Sequence, residues 1–145
     1  MMSTPQLIYL IAVIMVIVLI VKYWYVYYGT EYNTDRAFLD HIESKLRTVY
    51  PEYGDIQLYR GHASYTRDKK IMYLCIRDPA TNQLYPEKDI IYVGLHELAH
   101  LISTSYSTNL HNEEFMTNFD MLRHRAAQLN ILEYSHHVGA MHCKV

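Results

Sequence analysis

The sequence predicts an α+β domain carried behind one N-terminal transmembrane helix. Three observations lead to this. Residues 1–21 contain no charged side chain, and residues 7–28 form a nearly continuous apolar and aromatic run. Beyond residue 34 the apolar spacing changes from helical to alternating and back to helical. Within the second helical stretch two histidines, His96 and His100, lie four residues apart and so project from one helical face.

Size and composition bound the rest. A chain of 145 residues suits one folded domain behind the anchor. A formal net charge of −2 supplies no overall basic field, so direct nucleic-acid binding is not expected. Two cysteines, Cys75 and Cys143, are too few for a disulfide framework and fit a reducing compartment, although they leave a single bridge open.

The anchor is assigned to residues 1–28. Leu7 to Val21 is wholly apolar apart from Tyr9, and past Lys22 the run continues as Tyr23-Trp24-Tyr25-Val26-Tyr27-Tyr28. A bilayer-spanning helix needs about 20 mostly apolar residues, and Tyr and Trp favour the interface. A cleaved signal peptide would want a basic start, a shorter core and a small-residue cleavage site, none of which is evident. Lys22 and Arg36 follow the span while no basic residue precedes it, which puts the C-terminal domain on the cytosolic side of a single-pass membrane protein.

Residues 29–34 read as a polar linker, with Asn33 or Thr34 able to cap the helix that follows. The domain proper is 35–132. In its first helix Phe38, Ile42, Leu46 and Val49 make an apolar stripe, and Pro51 and Gly54 end it. Ile56–Arg60 and Lys70–Arg77 are the strand candidates, and the second could hold an extended peptide at a sheet edge. Residues 78–88 form a loop. The next helix covers 89–104, capped by Asp89 or favoured by Glu87 and Asp89 at its positive end. Residues 103–110 are a polar loop. A last helix fits 113–131, with Phe115, Phe119, Leu122, Ala126 and Leu129 on one face. Residues 133–145 are a His-rich tail.

His96-Glu97-Leu98-Ala99-His100 is an H-E-x-x-H motif. Two imidazoles at this spacing can grip one zinc ion, and the intervening Glu97 can reach a metal-bound water. The helix around them is apolar nearly all round, so two histidines and a glutamate inside it would cost several kcal/mol unless paired. Zinc supplies the compensation. A third ligand is needed, and His111, just ahead of the last helix, is the nearest candidate; Glu113, Glu114 and Glu133 are the carboxylate alternatives. The metzincin position for a third histidine is held by Tyr106, which excludes that class. Tyr106, His124 and Tyr134 are candidate oxyanion stabilisers, each with an ordinary packing role as the simpler reading. His136, His137, His142 and Cys143 could form a second, structural zinc site, but without paired ligand spacing a solvated tail is the simpler reading.

H-E-L-A-H at residues 96–100, a short loop, and His111-Asn112-Glu113-Glu114-Phe115 opening a helix resemble the WLM (Wss1p-like) metallopeptidases and their SprT-like relatives. Ile76-Arg77-Asp78-Pro79 ahead of the site helix is also similar. The resemblance covers about residues 35–132. It implies a minimal zincin fold, one catalytic zinc on His96, His100 and His111, and Glu97 as the catalytic residue. Small proteins of this kind are similar to peptidases of large DNA viruses, so it also points to a viral source. The crosslink-processing role of the family's best-known members is not carried over, because the chain lacks their appended binding regions and any basic patch. The function expected is a membrane-anchored zinc metalloendopeptidase acting on protein or peptide substrates. The alternatives are a non-catalytic membrane or virion protein with a structural zinc, and a scaffold protein with no metal.

Overall fold

The structure is a computed structural model that describes residues 4–104 and 111–139, without the side chains of residues 4, 7 and 24–34. The chain divides into two compact units, Met1–Ala37 and Phe38–Val145. The described elements are helix α1 (Thr4–Val49), a short 3-10 turn (Pro51–Tyr53), strands β1 (Gln57–Arg60), β2 (Tyr65–Arg67) and β3 (Ile71–Leu74), and helices α2 (Glu87–Ile102) and α3 (Glu113–Gln128).

The N-terminal reading is corrected. Among the described residues no helix is long and apolar enough to cross a membrane. The reason lies in length and interruption. At 1.5 Å per residue, the apolar run Leu7–Val21 measures roughly 22 Å, against about 30 Å of hydrocarbon. Lys22 then breaks it. The expected transmembrane anchor at 1–28, the single-pass membrane location and the cytosolic placement that depended on it are therefore withdrawn. In the first unit the side chains from Ile8 to Tyr23 are exposed. Nor is there a break at 29–34, where α1 continues as helix. Helical hydrogen bonding carries through the polar residues that read as a linker, so neither Asn33 nor Thr34 starts a new element.

In the second unit the stripe of α1 lies in the core: Ile42, Leu46 and Val49 are fully buried, Leu39 joins them, and Phe38 packs at the margin. The sheet has the order β1-β3-β2, with β1 parallel and β2 antiparallel to β3. Leu58, Met72 and Leu74 point into the core, while Tyr59, Tyr73 and Tyr65 line up across the three strands on the other face. Tyr65 and Tyr73 stack with ring centroids 4.7 Å apart. β3 is thus the central strand. The expectation that residues 70–77 offer a free edge is wrong, and β1 and β2 are the edges. Gly61 follows β1 because a Cβ there would sit 2.6 Å from the Ala63 carbonyl oxygen and 3.0 Å from Tyr73 Cβ.

α2 begins after Pro86, which has no capping side chain, so Asp89 lies inside the first turn rather than at the cap. α2 packs against β2, β3 and α3. Its buried residues include Ile90, Ile91, Leu95, Leu98 and Leu101, and Gly94 lets it approach Leu46 of α1. It is not covered all round, however: Tyr92, Val93, His96 and His100 form a half-buried face. α3 is capped by Asn112, whose side chain accepts the Phe115 N–H at 2.9 Å, and it buries Phe115, Phe119, Leu122 and Ala126. It ends at Gln128, three residues earlier than the periodicity suggests. Cys75 is buried and disulfide-bonded, the alternative that the sequence leaves open beside a reducing compartment.

Candidate metal centre

The half-open face of α2 carries the candidate site. His96 and His100 stand one turn apart, and the loop preceding α3 brings His111 over them. One ligand nitrogen from each of the three lies within 4.8 Å of the others. His96 Nε2 and His111 Nε2 are 3.2 Å apart. Two nitrogens on a tetrahedral zinc, each at 2.0–2.1 Å, would be about 3.3 Å apart, so the donor set fits such an ion in both type and spacing. The rings pack edge to face or tilted, with centroids 5.0 Å (His96–His100), 5.0 Å (His96–His111) and 5.1 Å (His100–His111) apart.

Two phenylalanines of α3 wall the trio. Phe115 lies 4.9, 4.3 and 4.7 Å from the rings of His96, His100 and His111, and Phe119 lies 5.4 Å from His96. The wall covers one side of the trio. Burial, with the neighbouring His100 and His111 acting in the same sense, lowers the His96 pKa to about 4. Burial, His111 and Lys69 bring His100 down to about 4 as well. Neutral imidazoles with available lone pairs follow, which is the form that binds a metal. Glu97, only 5 % exposed, is pushed up to about 7 by burial.

The other sequence candidates divide. Glu113 and Glu114 occupy the first turn of α3. The Glu114 carboxylate accepts from Thr104 N–H (2.7 Å) and Thr104 Oγ1 (2.9 Å). Glu133 pairs with Lys88 at 2.9 Å. None of the three carboxylates joins the imidazole group. His124 and Tyr134 stack on each other at 4.2 Å, and Tyr134 Oη donates to Asp120 at 2.6 Å. Tyr106, His142 and Cys143 lie outside the described residues. Of the tail histidines, His136 is half-buried against α2, whereas His137 is exposed, as expected of a solvated tail. His136 Nε2 is 2.8 Å from Asp89 Oδ1, and His137 Nδ1 is 3.4 Å from Tyr92 Oη. The segment therefore folds back on the first turns of α2. This contact, the phenylalanine wall and the Glu114–Thr104 link are not among the sequence-based expectations. The spacing of Phe115 and Phe119 one turn apart, directly after His111, was the available signal for the wall.

No known family's sequence profile matches the chain, and no solved structure does. Two curated proteins are similar over part of it. Uncharacterized protein 042R of Invertebrate iridescent virus 3 is 32 % identical over 65 residues, which is 45 % of this chain and 39 % of that protein. Uncharacterized protein 136R of Invertebrate iridescent virus 6 is 31 % identical over 82 residues, 55 % of this chain and 44 % of that protein. The aligned part spans less than half of either relative, and the WLM-like reading rests on the motif residues alone.

Proposed function

We propose that this protein is a zinc-dependent metalloendopeptidase, with the ion held by His96, His100 and His111 and with Glu97 as general base and acid. The observation that carries the reading is the convergence of three imidazole nitrogens within 4.8 Å beside the buried Glu97. Three neutral histidines would leave the ion positively charged with a position open to water. When bound, zinc supplies a lowered water pKa and polarises a carbonyl. The chain's own part is then proton transfer. A Glu97 carboxylate oxygen takes the proton of the attacking water and returns it to the departing amine nitrogen. The Phe115 and Phe119 wall keeps other water from the reacting groups.

The substrate class proposed is an extended peptide segment of a protein. Edge strand β2 packs on α2, and the turn after it carries Lys69, which lies close enough to lower the His100 pKa. An extended backbone could pair with β2 beside the imidazole trio. A viral source agrees with the two iridescent-virus relatives.

The test uses the full chain. Zinc content is measured by mass spectrometry, and cleavage of an unfolded protein is followed with and without Glu97→Gln. One zinc per chain, cleavage by the wild type and loss of cleavage with zinc retained in Glu97→Gln are expected. Zinc without wild-type cleavage would favour a structural ion. A wild type without zinc would overturn the metal reading.

A further inference from the structure

Of the three imidazoles, His111 alone does not belong to α2. It immediately precedes Asn112, the cap of α3. Its position over His96 and His100 therefore depends on how the start of α3 is attached to the end of α2.

That attachment is specific. α2 ends at Ile102, with Ser103 as its C-cap. Ser103 is buried, and its Oγ donates to the Ala99 carbonyl at 2.7 Å and accepts from Asn118 Nδ2 at 3.0 Å. Lys69 Nζ donates to the Ser103 carbonyl oxygen from the turn between β2 and β3. One residue on, Thr104 gives both its N–H and its hydroxyl to Glu114 Oε1, at 2.7 and 2.9 Å. Glu114 and Asn118 are one turn apart on α3, so the two helices are fastened at two successive points. Glu114 is the nearer to His111, three residues away. Its carboxylate makes two charge-assisted hydrogen bonds, a class roughly twice as strong as neutral ones. Phe115, the next residue, is the one that touches all three rings.

We infer that Glu114 is a positioning residue of the metal centre: by fastening the start of α3 to Thr104 it holds His111 in register with His96 and His100, and so sets metal affinity without touching the ion. The inference rests on the zinc reading above. It also gives this half-buried carboxylate a role distinct from that of a ligand or a simple first-turn acid.

The experiment is a competition titration of Zn²⁺ against a chelating dye, on the full-length chain, with the visible spectrum of the Co²⁺-loaded protein as a second readout. Glu114→Ala is expected to weaken Zn²⁺ binding on the order of tenfold, the scale on which outer partners of ligand sites act, and to change the Co²⁺ band. Glu114→Gln keeps an acceptor oxygen and is expected to lose only about threefold. Thr104→Val, which removes the hydroxyl donor from an exposed position, is also expected to lose about threefold and keeps the test open if Glu114→Ala fails to fold. In a His111→Ala background, Glu114→Ala should change the residual affinity by less than about twofold, because the ligand it positions is gone. Equal losses with and without His111, or unchanged affinity in Glu114→Ala and Thr104→Val, would overturn the inference and leave the zinc reading standing. A wild type that binds neither ion would overturn both.

Discussion

Gly94→Ala tests how the site helix is seated. Alanine is the better helix former by about 1 kcal/mol, so on local grounds the substitution should stabilise α2. The structure predicts the opposite sign. A Cβ at position 94 would lie 3.0 and 3.2 Å from Cδ1 and Cδ2 of Leu46, closer than the ordinary contact range of about 3.5–4.0 Å. Leu46 is fully buried among Ile42, Val49 and the sheet residues, so it cannot turn out to solvent. Overpacking of this kind costs about 1–3 kcal/mol, which exceeds the propensity gain. The expected result is a net loss of about 1 kcal/mol in urea unfolding. His96 is two residues away, so a displaced helix should also weaken Zn²⁺ binding. Leu46→Ala supplies the control. It opens space at the contact, so Gly94→Ala made in that background should stabilise. If Gly94→Ala stabilises the otherwise unchanged protein by about 1 kcal/mol, the close seating of α2 on α1 is refuted.

Two further predictions concern single buried or capping groups. Tyr53 is 1 % exposed and its hydroxyl has no hydrogen-bond partner among the described residues. Tyr53→Phe should raise stability by about 1 kcal/mol in urea unfolding, since it removes an unsatisfied polar group and keeps the ring under Arg47. Asn112→Ala removes the cap that accepts the Phe115 N–H, and should cost about 1 kcal/mol in the same assay, with faster amide exchange in the first turn of α3.

The candidate site was legible because its chemistry is local. His96, Glu97 and His100 share one helix, and His111 sits just before the start of the next. The packing stripe of α1 and the start of α3 were legible for the same reason. What was missed depends on partners far apart in sequence or on turns without a signature. β2 escaped notice because its three residues are short and the turn to β3 uses Asp68 and Lys69, both at positive φ, rather than an Asn-Gly pair. That omission put Lys70–Arg77 at an edge when it is central. The return of His136 to Asp89 joins residues 47 apart, and no periodicity announces it. The N-terminal error was of another kind. Residues 7–28 were counted as one span across Lys22, and the polar residues after it do not end α1, which continues to Val49.

Under the proposed zinc reading, Glu97 is the residue that would separate a catalytic site from a structural one. It is 5 % exposed, and among the described residues no ion pair forms with it. A carboxyl group in that setting costs stability whether it ionises against its surroundings or stays protonated. A zinc site that served folding alone would need three or four ligands and no such neighbour. A leucine of similar bulk at this position would suit the core of α2 better. Glu97→Leu should therefore raise the stability of the chelator-treated protein by about 1–3 kcal/mol in urea unfolding, leave the three imidazoles able to bind Zn²⁺, and abolish cleavage. Such an exchange of stability for activity is what the proposed catalytic role of Glu97 would impose. If Glu97→Leu is no more stable than the wild type, the buried carboxylate carries no such cost, and its position ceases to argue for catalysis.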